Sequence, residues 1–328
     1  MSELVRAATL TGYADLVRRL GLDARRLVAA VGLPETCLAD AEARIEVDAV
    51  RQLLEISAIL TGAEDFGLRL AQTRSFSNLG PVGLALRDQP TVGHALATLT
   101  RYIRLHSEAL SIHVDETGDL VILTVGVVNH RGAPNRQVVE LSLGVLVRSL
   151  RLLLGPGWRP QQSLFAHAAP SDRTPHLHVF GEGLSFDQEF TGLVFAARDL
   201  RTRVVGADPV MARQISRYVD ELAGAHPLGL RQQVSEIVGH LLPMGQCTIE
   251  RLAQHLAVDR RTVHRRLAAE GATFSGIVQQ VREDLARTYL AGGRRTMTQI
   301  APLLGFSSLS AFSRWRRRSG IRTLPTLP

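Results

Sequence analysis

The sequence predicts a chain in two parts: an α+β N-terminal domain over residues 1–225, and an all-α C-terminal domain over residues 226–328 carrying two helix-turn-helix units joined by a long helix. Three observations predict it. One helix-turn-helix pattern occurs twice, as TIERLAQHLAVDRRTVHRRL at residues 248–267 and TQIAPLLGFSSLSAFSRWRR at residues 298–317. Ala253 aligns with Ala301, Leu256 with Leu304 and Arg266 with Arg314, an offset of 48 residues. Charge is segregated: residues 226–328 hold 15 Arg against 6 acids, net +9, while residues 1–225 hold 23 Arg against 25 acids, net −2. A length of 328 residues gives each part enough chain for its own core, and Ala223, Gly224, Ala225, His226 and Pro227 interrupt two helical patterns between them.

In the first part, apolar residues three and four apart predict helices over residues 16–27, 47–60 and 92–110. Alternation over residues 110–114 and 120–128 predicts two strands across an Asp-Glu-Thr-Gly-Asp turn. Residues 138–154 read as a strongly apolar helix ended by Gly155-Pro156-Gly157. Short strands are expected near residues 163–167, 177–180 and 192–196. The stripe Val92, Ala95, Leu96, Leu99, Ile103 and Leu110 also carries Tyr102 and His106, two polar tips facing an apolar interior. These two, with His167, are the candidate lining of a small-molecule pocket. The competing expectation is that each satisfies its polar atom within the core.

Catalysis and metal binding find little support. The part holds His94, His106, His113, His130, His167, His176 and His178, and His176-x-His178 would share one strand face, but no carboxylate or third ligand sits at metal spacing. There is no Gly-rich phosphate loop, no Gly-x-Ser-x-Gly and no Cys and His placed as a catalytic pair. The expectation is no catalytic residue, no metal and no cofactor. The two cysteines, Cys37 and Cys247, imply neither a disulfide nor structural zinc. No apolar run of membrane length and no signal-peptide pattern is present, so a cytoplasmic protein with no membrane partner is expected.

In the second part, a helix over residues 228–242 precedes the first unit. There Ile249, Leu252, Ala253 and Leu256, then Val263 and Leu267, form apolar stripes that leave Arg260, Arg261, Thr262, His264 and Arg265 outward. Residues 274–290 form an amphipathic connector of roughly 26 Å at 1.5 Å per residue. A connector of that size suits two recognition helices about one DNA turn, 34 Å, apart. In the second unit Ile300, Ala301 and Leu304 form the scaffold stripe and Phe306, Phe312 and Trp315 anchor it. Ser308, Leu309, Ser310, Ser313, Arg314 and Arg317 are its candidate DNA contacts. Arginine pairs with guanine or phosphate, and serine and threonine hydroxyls suit either. With no lysine in the chain, every such cation is a planar guanidinium.

The residues Ala253, Leu256, Arg265, Arg266, Leu267, Arg282, Ala286, Ile300, Ala301, the run Leu304-Gly305-Phe306-Ser307, Ser310, the run Phe312-Ser313-Arg314 and Gly320 resemble the DNA-binding domain of the AraC/XylS family of bacterial transcription regulators. The resemblance implies base contacts from Arg261, His264 and Arg265 in the first unit and from Leu309, Ser310, Ser313 and Arg314 in the second. Leu20-Gly21-Leu22, Gly32-Leu33-Pro34, the run Phe66 to Leu70, the run Leu79 to Leu84 and Leu184-Ser185-Phe186 resemble the arabinose-binding-type sensor domain of regulators similar to the ornithine-utilisation and mycobacterial virulence regulators. Being mostly glycine and apolar positions, they imply a shared fold more than a shared ligand.

Three positions depart from the family pattern. Ala257 replaces the usual turn glycine, Pro302 falls in the second scaffold helix and should make its start irregular, and the closing Pro-x-x-Tyr-Arg helix is missing after Gly320. The function expected is a transcription regulator that binds operator DNA and a small-molecule effector, pairs as a homodimer and engages RNA polymerase. The alternative is a ligand-independent architectural DNA-binding protein whose first part only oligomerises.

Overall fold

The computed structural model describes residues 3–74, 76–127, 134–225, 230–256, 258–291 and 296–321. They fall into two compact units, the described residues up to 225 and those from 230 onward.

The first unit opens with strand β1 (Leu4–Arg6), helices α1 (Tyr13–Arg19) and α2 (Ala24–Ala30), and strand β2 (Arg44–Glu46), which pairs antiparallel with β1. Helices α3 (Val47–Thr61), α4 (Phe66–Ala71), α5 (Pro81–Arg87) and α6 (Val92–Tyr102) follow. Then come β3 (Leu110–Thr117), β4 (Leu120–Val127), α7 (Arg136–Leu154), β5 (Gln162–Leu164), α8 (Thr174–Phe180), β6 (Leu184–Ser185), β7 (Gly192–Ala196) and α9 (Pro209–Ala225). The sheet runs β3-β4-β7-β5-β6, antiparallel except for β5 with β6. The α+β reading of this part holds.

Helix α7 is the axis of the unit because it is apolar nearly all round. Leu143, Val147 and Leu150 pack with Leu123, Phe165 and Phe195 of the sheet region, while Leu141, Val138 and Val145 join the core of α1 and α3. Its N-terminus lies against α4 so closely that a Cβ on Gly67 would sit 2.0 Å from the Gln137 carbonyl oxygen. The Gln137 side chain spans that contact, accepting from the Gly67 N–H at 2.7 Å and donating to the Glu64 carbonyl at 2.9 Å.

Three elements differ from expectation. The helix expected over residues 16–27 is two helices, because Gly21 at φ +83° closes α1 and the Asp23 side chain caps α2. The helix expected over residues 92–110 stops at Tyr102 and turns through Ile103–Leu105. Beyond that turn β1 captures the backbone: the Arg6 N–H donates to the His106 carbonyl at 2.8 Å and the Glu108 N–H to the Leu4 carbonyl at 2.9 Å. Residues 177–180 are helical, not a strand: Pro175 sits in the first turn of α8, and His176, Val179 and Phe180 are buried at helical spacing. His176 and His178 therefore do not share a face; His176 is buried and His178 exposed.

The second unit holds α10 (Leu230–Leu241), α11 (Ile249–His255), α12 (Arg260–Ala269), α13 (Phe274–Ala291), α14 (Met297–Leu303) and α15 (Leu309–Arg318). It is all-α, with α11–α12 and α14–α15 as the two helix-turn-helix pairs and α13 as the connector. There are two cores. Val234, Val238, Leu252, Val263, Leu267 and Ile277 form one; Ala286, Ile300, Ala301, Leu304, Phe312 and Trp315 form the other. Helix α13 contributes Ile277 to the first and Ala286 to the second, so it is a shared wall.

Candidate nucleic-acid interface

All four helices of the two pairs start on a polar cap: Thr248, Asp259, Thr296 and Ser308 each accept a backbone N–H with the side chain. Thr296 and Gln299 form a reciprocal capping box, so α14 begins regularly despite the expectation placed on Pro302. Pro302 instead falls in the last turn of that helix, where it removes a single backbone donor. The turn after α14 closes through Gly305 at φ +73°, with the Phe306 N–H donating to the Ala301 carbonyl at 2.9 Å and the Gly305 N–H to the Pro302 carbonyl at 2.8 Å. In the first pair the Val258 N–H donates to the Ala253 carbonyl at 3.1 Å in the same way. Ala257 and the residues after Ile321, on which the other two departures fall, lie outside the described residues.

On α12, Val263 and Leu267 are buried, which turns Arg261, His264 and Arg265 outward at i, i+3 and i+4. Two other candidates are held locally. Arg260 Nη1 donates to Glu250 Oε1 at 2.8 Å, and Thr262 Oγ1 donates to Asp259 Oδ2 at 2.8 Å. On α15, burial of Phe312 and Trp315 leaves Ser310, Ser313, Arg314 and Arg317 along one edge, with Ser313 half-buried and the others exposed. Leu309 is exposed at the helix start, and Ser308 spends its hydroxyl as the cap, accepting from the Ala311 N–H at 3.2 Å. Each pair thus presents an outward edge of hydroxyl, imidazole or guanidinium groups on its second helix.

Two side chains of α13 that periodicity does not single out hold the second pair in place. Gln279 Oε1 accepts from Trp315 Nε1 at 2.8 Å. Arg282 Nε donates to the Leu304 carbonyl at 2.8 Å while its guanidinium stacks 4.7 Å above the Phe306 ring. Burial pulls the Arg282 guanidinium below its usual value.

The candidate ligand residues of the first unit are not brought together. Tyr102 is buried, and its hydroxyl donates to Asp220 Oδ1 of α9 at 2.6 Å; burial, then that bond, pushes its pKa up to about 12. His167 belongs to a buried polar cluster around Glu140, which sits 2.8 Å from Arg136 Nε, 3.5 Å from His167 Nε2 and 3.0 Å from His176 Nε2. Burial lowers the pKa of His167. No group of three side chains that could hold a metal ion occurs among the described residues.

Of the three, His106 lines a cavity that Tyr102 and His167 do not reach. The cavity, ≈ 90 Å³, lies between α3, α6, α7 and the β3–β4 hairpin and is walled by Val50, Leu54, Leu99, Ile112, Leu141 and Leu146 among others. Burial first, then the charges of Arg6, Arg74 and Arg44, push the His106 pKa down to about 3, so its imidazole is neutral near pH 7. Arg74, which no sequence pattern marks, is buried in the same wall.

A family model described as the arabinose-binding domain of AraC transcription regulators, N-terminal, matches residues 21–204. A helix-turn-helix domain model matches residues 252–320. The chain is similar to the HTH-type transcriptional regulator VirS of Mycobacterium tuberculosis (strain ATCC 25618 / H37Rv), 32% identical over 320 residues, covering 97% of this chain and 94% of the relative. It is 24% identical, with the same coverage of both, to the ornithine utilization regulator of Pseudomonas aeruginosa. Among solved structures, the transcriptional regulator CdpR from Pseudomonas aeruginosa matches with TM-score 0.44 and 21% identity, covering 93% of this chain and 95% of that one.

Proposed function

The chain belongs to the AraC family of transcription regulators, and from that premise we propose that it binds operator DNA sequence-specifically and changes its regulatory output when a small molecule occupies the first unit. One observation carries the DNA half: two capped helix-turn-helix pairs share a connector, and each turns polar and basic side chains outward from its second helix. In this reading Arg261, His264 and Arg265 read one stretch of major groove, and Ser310, Ser313 and Arg314 the next. Leu309, at the start of α15, makes an apolar contact with a base edge, and Arg260, Thr262, Ser308 and Arg317 flank the reading residues and meet backbone phosphate. The cavity carrying His106 holds the effector. Pairing as a homodimer and contact with RNA polymerase complete the proposal, with the protein acting in the cytoplasm. No helix among the described residues is long and apolar enough to cross a membrane.

Salt titration tests the DNA half. If the net +9 of residues 226–328 neutralises about six phosphates, log K falls with log salt at a slope of roughly −5. A slope shallower than about −2 contradicts it. For the effector half, the full chain and a chain lacking residues 1–225 are compared on one promoter across a metabolite panel. Regulation that is identical in the two removes the sensing role from the first unit.

A further inference from the structure

The cavity of the first unit has an uneven chemistry. Most of its wall is aliphatic, and none of its lining residues is acidic. Its lining includes Arg74, which is 3% exposed. Among the described residues the Arg74 guanidinium meets only two backbone oxygens, donating through Nη1 to the Ala8 carbonyl at 2.8 Å and through Nη2 to the Thr9 carbonyl. Those bonds use two of its five N–H donors. The fold's other buried arginines show the contrast: Arg6 pairs with Glu42, and Arg51 with Asp48. A buried guanidinium without a counter-charge is costly, and the usual remedy is an anion. His106, which lines the same cavity and feels the Arg74 charge, has its Nδ1 buried with no hydrogen-bond partner.

We propose that this cavity binds a small apolar monocarboxylate, such as a short-chain alkanoate or an aromatic acid, with its carboxylate on Arg74 and His106 and its hydrocarbon body against Leu54, Leu99, Leu141 and Leu146. The proposal rests on the reading of the first unit as a sensor. Each alternative fails on the chemistry of the wall. A sugar carries hydroxyls all round its ring, each needing a hydrogen-bond partner, whereas the polar side chains of the wall, Thr9, Asn78, Ser107, Ser142 and Ser149 besides Arg74 and His106, are outnumbered by aliphatic ones. An amino acid would bury an ammonium with no carboxylate to receive it. An uncharged hydrocarbon would leave the guanidinium uncompensated. At ≈ 90 Å³ the chamber falls below the roughly 300–1,000 Å³ of drug-sized sites, which favours a short body. Arg74 takes part as a charge-assisted donor, and His106, kept neutral by its surroundings, can donate one N–H to the second carboxylate oxygen.

Thermal melting and operator binding of the full chain test this with butanoate, hexanoate and benzoate, against hexanamide, norleucine and arabinose. The expected result is a saturable rise in melting temperature with at least one carboxylate, the same compound changing operator affinity, and no rise with the other three. Arg74→Gln removes the charge, and Ser149→Leu, at the cavity wall, fills space while leaving Arg74 intact; each should weaken carboxylate binding at least tenfold. The second variant covers the case in which the first fails to fold. Norleucine, hexanamide or arabinose acting in place of the carboxylates overturns the assigned class while keeping the sensor reading. So does carboxylate binding untouched by Ser149→Leu, or no response to any carboxylate while the truncation still abolishes regulation by metabolites. Regulation identical with and without residues 1–225 instead removes the sensor reading itself.

Discussion

At the scale of single residues, the separation of reading from holding gives the sharpest expectations. Arg265 is exposed on α12 beside His264, whereas Arg318 is exposed at the end of α15. Arg265→Ala is expected to cost about 1–3 kcal/mol on the operator and to flatten base preference at one position, while Arg318→Ala weakens all sequences alike. Competition binding with operator and random duplexes checks this; equal losses on both for the two variants would place the recognition face elsewhere. His106 gives a pH signature. A base whose pKa drops from 6.5 unfolded to about 3 folded leaves the folded state with fewer bound protons between those values, so stability falls as pH drops through that window, by up to about 1.4 kcal/mol per pH unit. Denaturant melts of His106→Gln should show a shallower loss between pH 6 and pH 4 than the parent chain; parallel curves would mean that His106 titrates normally. Tyr102 was legible as a polar tip on an apolar stripe, but its partner was not, because Asp220 lies 118 residues away on a helix whose own pattern says nothing of α6. Arg74 lies between helices, where no periodicity exists to mark it.

At the scale of elements, the turn of the second pair depends on one backbone geometry. Gly305 has φ +73°, and a Cβ there would lie 3.2 Å from Leu242 Cδ2. Gly305→Ala should therefore destabilise the second unit by roughly 1–2 kcal/mol, read as a lower melting temperature for residues 226–328 and weaker operator binding. An unchanged melting temperature would show that the turn can take another form. The same loop shows what the sequence makes legible. Asp259, Thr296 and Ser308 start their helices through local capping chemistry, and at Thr296 that chemistry outweighs the irregular start expected from Pro302. The end of α6 could not, because the competing partner is β1, far away in the chain: the Arg6 N–H bonds the His106 carbonyl and overrides a helical stripe. Residues 177–180 failed for a different reason. Four apolar-rich residues fit a strand or a helix equally, and only the burial of His176, Val179 and Phe180 decides for α8.

At the scale of the whole molecule, each unit is internally complete. The second has two cores that share α13, of about 27 Å at 1.5 Å per residue, so the two recognition helices are tied to one shared helix. That sharing was visible in the sequence, because the 48-residue offset between the copies leaves room for one long helix. The first unit has a five-stranded sheet beside the β1–β2 pair, a central helix and an apolar chamber with an unpaired cation, and the chamber was legible only as a single histidine on a stripe. The central claim is that the full chain reads two adjacent sites in DNA through α12 and α15, and selection of bound sequences from a random duplex pool tests it most directly. The account predicts enrichment of two short motifs spaced about one helical turn, 10–10.5 base pairs, centre to centre, with the first lost in Arg265→Ala and the second in Arg314→Ala. A pool that stays random after repeated rounds, or a single motif unaffected by either substitution, would contradict it.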